Sequence, residues 1–246
     1  MNEPHVIALK YSLVKSDSYE FRNPPEIEIE TPDFHGYLND NILKLEPKLH
    51  FESEEQIRPI ADNFIRRWEI AAGLEFGRPN LRFRFEGSQI IDRKPTPGEK
   101  SFHANRNVYF SGEVDLKVIY KKYPPPPKEF NLTPEIELFW HRYCQYLDGK
   151  ELLLPMAYYC LSVLTKDGRK KAEKQYNIEF EVLDKLGDLT ANRGDGLTAR
   201  KLSPKSKPLT GEEITWIETT IKKVIEHIAT NQAGQVLTMR DLPCLS

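Results

Sequence analysis

Residues 123–147, YPPPPKEFNLTPEIELFWHRYCQYL, separate two kinds of apolar spacing and so decide the fold. Four consecutive prolines cannot donate to a strand ladder and favour an extended backbone without hydrogen bonds. Directly after them, Thr133 followed by Pro134 has the form of a helix N-cap with proline at the first helical position. Ile136, Phe139, Trp140, Tyr143 and Leu147 then recur at helical spacing as far as Asp148-Gly149. Residues 124–132 are therefore expected to link a unit at 1–123 to one at 133–232, with 233–246 as a loose tail onto which Leu237 and Leu242 can dock. A stiff crossing within one globule is the other reading of the same prolines.

Upstream of the prolines the apolar period is two, the spacing of half-buried strands. Ile7, Leu9, Tyr11 and Leu13 form one such run, and residues 26–30 (EIEIE) form a second. Residues 43–51 give a third, with Pro47 arguing for an edge strand or a bulge because it has no N–H. Residues 17–25 read as a turn. Ser53 to Gln56 has capping-box spacing, and Ile57, Ala61, Phe64, Trp68 and Ala72 mark a helix face ending near Gly73. Pro59 within it predicts a start nearer Arg58 or a kinked first turn. Leu81, Phe83 and Phe85 alternate again, Ile90 and Ile91 extend the signal, and residues 93–107 form a long loop. The longest alternation runs from Val108 to Tyr120. The expected class is α+β: an N-terminal antiparallel sheet with one packed helix, joined to a C-terminal all-α bundle.

Downstream of Asp148-Gly149, residues 152–164 are apolar nearly all round, as in the central helix of a bundle, and residues 169–176 are short and basic. Ile178, Val182, Leu183, Leu186 and Leu189 mark the next stripe, ending where Asn192, Arg193 and Asp195 crowd two glycines. Thr210 to Glu213 is a second capping box, followed by Ile214, Ile217, Ile221, Val224 and Ile228. Burying five such side chains at roughly 1.5–3 kcal/mol each outweighs what the caps supply.

Bulk properties narrow the function classes. Thirty-five Lys and Arg against thirty-seven Asp and Glu give a net charge of −2, so any surface for nucleic acid must be a local patch. No apolar run is long enough to span a membrane, and residues 1–12 lack the pattern of a signal peptide. Cys144, Cys160 and Cys244 show no paired spacing, which fits reduced thiols in a cytoplasmic protein and no structural zinc. No cofactor motif is present: there is no phosphate-binding glycine loop, no GxSxG elbow and no HExxH. The six histidines show no ligand spacing, and His141 beside Arg142 is expected at the surface.

Two sets of residues remain as candidate chemistry. Asp115 and Lys117 form a D-x-K pair on the expected long strand. With Asp92 they would suit a divalent metal and an attacking water, the arrangement of a metal-dependent nuclease. The same pattern arises on any sheet face that meets solvent. The second set is basic: Lys170 and Lys171 before the 178–189 stripe, Arg200 and Lys201 after it, with Asn192, Arg193 and Asp195 between. These would contact phosphate, Tyr158 and Tyr176 lying near as stacking partners, or form an ordinary solvated helix face.

The helical half resembles a HEPN-type domain, an all-helical module of bacterial conflict systems and RNA-processing proteins. The resemblance covers roughly 133–231 and rests on four principal helices, a short basic insert, and residues 186–193, LGDLTANR, at the end of the third. In active members an arginine there is followed within a few residues by a histidine, and the pair cuts RNA through its 2′-hydroxyl. Arg193 stands for the arginine. No histidine follows before His227, and Arg200 and Lys201 occupy the interval. The resemblance thus implies RNA contact or dimerisation through the bundle, or a protein partner, without the acid/base pair that cleavage needs.

Overall fold

The computed structural model describes residues 3–14, 19–77, 79–94, 118–194, 207–230 and 234–245. It shows an α+β protein. The chain forms two compact units, Met1–Pro127 and Lys128–Ser246.

In the first unit, strands β1 (Pro4–Leu13), β3 (Ile27–Glu30), β4 (Phe34–Asn39), β5 (Ile42–Pro47) and β6 (Phe83–Asp92) build one sheet in the order β3-β4-β5-β1-β6. Every pairing in it is antiparallel. Helix α1 (Glu54–Phe76) covers one face, where Ile57, Ala61, Phe64, Trp68 and Ala72 join Val6, Leu9, Tyr11, Leu43 and Leu45 in the core.

Several details depart from the sequence expectation, each for a local reason. The register between β1 and β6 shifts between Val6 and Ala8, so Ile7 points outward at 36% exposure and Ala8 is buried. A bulge reverses the alternation. Strand β4 was not foreseen: it alternates through Phe34, Gly36 and Leu38, and a glycine gives no apolar signal. It folds back onto β5 at Asp40-Asn41, both with positive φ (48° and 63°), as a tight hairpin turn requires.

Pro47 does not sit on an edge strand. β5 lies inside the sheet, and Pro47 is its last residue, beyond Leu45 where pairing with β1 has already ended. Helix α1 begins at Glu54 despite Pro59 and runs past Gly73 to a left-handed cap at Gly77. Ser53 makes no side-chain cap bond; Gln56 Oε1 instead accepts from Glu52 N–H.

The segment read as a turn contains β2 (Tyr19–Phe21), which pairs in parallel with β7 (Val118–Tyr120), the described end of the Val108–Tyr120 run. Just beyond β7, Tyr123 and Pro124 belong to the core of this unit. Tyr123 is buried, its hydroxyl donates to Asn41 Oδ1 and accepts from Asn41 N–H, and Trp68 Nε1 donates to the Pro124 carbonyl.

The second unit contains α2 (Pro134–Leu147), α3 (Leu153–Leu164), α4 (Arg169–Tyr176), α5 (Phe180–Asn192) and α6 (Gly211–Thr230). Apolar α3 touches α2, α5 and α6, the central place its composition predicts. Thr133 caps α2 by accepting from Ile136 N–H. Leu147 departs from the predicted stripe and is 37% exposed. In α6 the buried face is centred on Trp216, Ile217, Thr220, Ile221 and Val224, which leaves Ile214 37% exposed. The tail docks: Leu237 forms a parallel bridge with Ile178, and Leu237 and Leu242 are buried.

Among the described residues, no helix is long and apolar enough to cross a membrane.

Candidate nucleic-acid interface

Helix α4 carries the basic cluster. Its eight residues, RKKAEKQY, bury only Ala172, so tertiary contact rather than its own apolar face holds it in place. The main contact is Arg169, which pairs with Asp184 of α5 and lies across Gly187. A Cβ at Gly187 would stand 2.0 Å from the Arg169 guanidinium, so a side chain there would push the guanidinium aside. His227 of α6 fixes the other end by donating from Nε2 to the Tyr176 carbonyl (3.0 Å).

The cations on this helix are not equivalent. Arg169 is neutralised by Asp184, and Lys171 reaches Asp167 at 3.6 Å one turn back. Lys170 and Lys174, also one turn apart, are exposed and form no ion pair among the described residues. Lys166 is exposed on the turn leading into α4. Tyr176 at the helix end is half-buried, and burial raises its phenol pKa.

Arg193 belongs to a different construction. It is the residue that ends α5, extended at φ −109°, and its Nη2 lies 2.6 Å from Glu213 Oε1 in the first turn of α6. The Glu213 side chain is 9% exposed and that of Arg193 31%. Glu213 also closes a capping box with Thr210: its Oε2 accepts from Thr210 N–H, and its own N–H donates to Thr210 Oγ1. Next to it, Gly194 N–H donates to the Lys207 carbonyl, at a φ of +112° suited to glycine. Arg193 thus ties the end of α5 to the start of α6, with its guanidinium turned to a carboxylate of the same chain. Asn192 is exposed beside it. Asp195, Arg200 and Lys201 lie outside the described residues.

Asp92 ends β6, where its Oδ1 accepts from the N–H groups of Glu3 (2.9 Å) and Lys94 (2.8 Å). That carboxylate closes a turn. Asp115 and Lys117, its expected companions, lie outside the described residues. Among the described residues, no three His, Cys, Asp or Glu side chains are grouped to hold a metal ion.

Two groupings escaped sequence reasoning because their members are far apart in the chain. Arg142 pairs with the Glu151 carboxylate, stacks 4.3 Å over the Tyr159 ring, and keeps a buried Nε with no acceptor. Burial raises the Glu151 carboxyl pKa against the pull of Arg142, and burial pushes the neighbouring Cys160 thiol up to about 12, so that thiol is inert core filler. The other grouping is His5 with His50, whose Nδ1 atoms lie 2.9 Å apart. Only the sheet register brings them together. Comparison with protein-family models, with characterised proteins and with solved structures returns no match.

Proposed function

We propose that this protein is a non-catalytic RNA-contacting regulator of the kind found in bacterial conflict systems. Its helical unit is a HEPN-like bundle, and α4 is its contact with the phosphate backbone. The observation that carries the reading is the division of labour on α4, where Arg169 is held by Asp184 and Lys171 lies within reach of Asp167, while Lys170 and Lys174, one turn apart, are exposed with no ion pair among the described residues. Two cations one turn apart can each meet a phosphate of a single strand, and Tyr176 at the same end offers a ring for a base. What supports the HEPN-like reading is Arg193 at the end of α5, ahead of a long final helix. What supports a non-catalytic role is the Arg193–Glu213 pair together with the lack of a histidine soon after Arg193.

The test is binding of a single-stranded RNA across a salt series. Lys170→Ala with Lys174→Ala is expected to weaken binding at low salt. It should also flatten the slope of log affinity against log salt by about 0.7 for each lost phosphate contact. Lys171→Ala, which removes a cation already paired, is expected to change the slope by less than half as much. Equal affinities and slopes for native protein and double variant would remove the proposal.

A further inference from the structure

The contact between His5 and His50 has a geometry that permits only some protonation states. The ring centroids are 4.9 Å apart and the ring planes differ by 22°. The Nδ1 atoms are 2.9 Å apart, and the centroid separation exceeds this by nearly the sum of the two ring radii. The rings therefore meet edge to edge, nitrogen facing nitrogen, and are not laid face on face. Such a contact needs one proton between the two nitrogens, one ring donating and the other accepting. A first added proton goes to an outer Nε2 and keeps the bond. A second must go to the accepting Nδ1, which sets two N–H groups against each other and breaks it.

We propose that His5 and His50 form an acid-operated latch between the start of β1 and the connection from β5 to α1. Burial and Arg93 favour release once protons are added, and they outweigh the Phe51 carbonyl and Glu3, which favour the charged His5 ring. His5 is buried at 8% exposure, and the Arg93 side chain adds a third positive charge from the exit of β6. Among the described residues, the nearby carboxylates are already engaged. Glu3 pairs with Lys94 at 2.7 Å, and Asp92 accepts from two backbone N–H groups. Next to the latch, Val6 N–H donates to the Phe51 carbonyl, and the β1 bulge begins at the following residue. Opening the histidine pair strains that single backbone bond, two residues ahead of the Ser53 cap position of α1.

The direction of the pH effect follows from the environment. Burial first, then Arg93, then His50 hold the His5 pKa below its ordinary value. The folded chain consequently binds this proton less readily than the unfolded chain. The stabilisation is complete above the ordinary histidine value of about 6.5 and is lost as pH falls from there through the lowered value.

Hydrogen exchange of the Val6 amide, corrected for the intrinsic effect of pH, reads the latch directly. In the full chain its protection is expected to fall about tenfold or more between roughly pH 7.5 and pH 5. His50→Gln, which keeps an acceptor but cannot take a charge, is expected to make that fall measurably smaller and to leave the part that burial and Arg93 cause at His5. A flat native profile, or an unchanged fall in His50→Gln, overturns the proposal. Ring ¹⁵N titration of the native protein gives a second reading that does not depend on a variant. The His5 ring is expected to take up its proton below the ordinary histidine range. A His5 step at the ordinary histidine value would also overturn it.

Discussion

Tyr123 shows how much one side chain far along the chain can hold. Its hydroxyl both donates to and accepts from Asn41, which sits at φ 63° in the β4–β5 turn. Tyr123→Phe leaves the Asn41 N–H without its partner and is expected to cost about 1–2 kcal/mol, read as a lower denaturant midpoint with an unchanged slope. Little at this scale was legible beforehand. Arg193 was visible as the end of a helix and Glu213 as a cap, but nothing in their spacing announced that they pair. Ile7 was placed on the buried face because a bulge adds a residue without leaving a mark in the composition.

At the scale of elements, the long stripes were readable and the glycine-bearing strand was not. Helix α2 starts where Thr133-Pro134 indicates, and α3 is as central as its unbroken apolar run implies. The α6 stripe holds at Ile217, Ile221 and Val224, which are buried, and departs at Ile214 and Ile228. Isoleucines at 214, 217, 221 and 228 suggest one stripe, while the Arg193 tie fixes Glu213 inward and brings Trp216 and Thr220 with it. β4 was hidden because Gly36 supplies no hydrophobic mark where the sheet needs its smallest residue. A Cβ there would stand 2.2 Å from the Lys44 carbonyl oxygen, a backbone atom that cannot rotate away. Gly36→Ala is therefore expected to destabilise the sheet unit at the upper end of about 1–3 kcal/mol, measured by chemical unfolding.

For the whole molecule, the change of apolar period at the prolines made the α+β class readable. The candidate site was less so, since it depends on which lysines find carboxylates in three dimensions. Each unit has its own buried aromatic and aliphatic residues, Trp68 in the first and Trp216 in the second. Calorimetry is expected to resolve two unfolding transitions. Tyr123→Phe should lower one, and Leu237→Ala, which empties the dock on Ile178 at a cost of about 2–5 kcal/mol, should lower the other. The parallel pairing of β2 with β7 reaches across most of the first unit, joining Phe21 to Tyr120, with Tyr123 and Pro124 close behind. A ribosome adds roughly 5–20 residues each second, so Tyr19 to Phe21 emerge several seconds before the strand that will receive them. Until then Trp68 has no carbonyl at Pro124 to meet. A nascent chain stopped short of that point should present the aromatic side of this unit to chaperones, whereas one released beyond it can shut the whole interior at once.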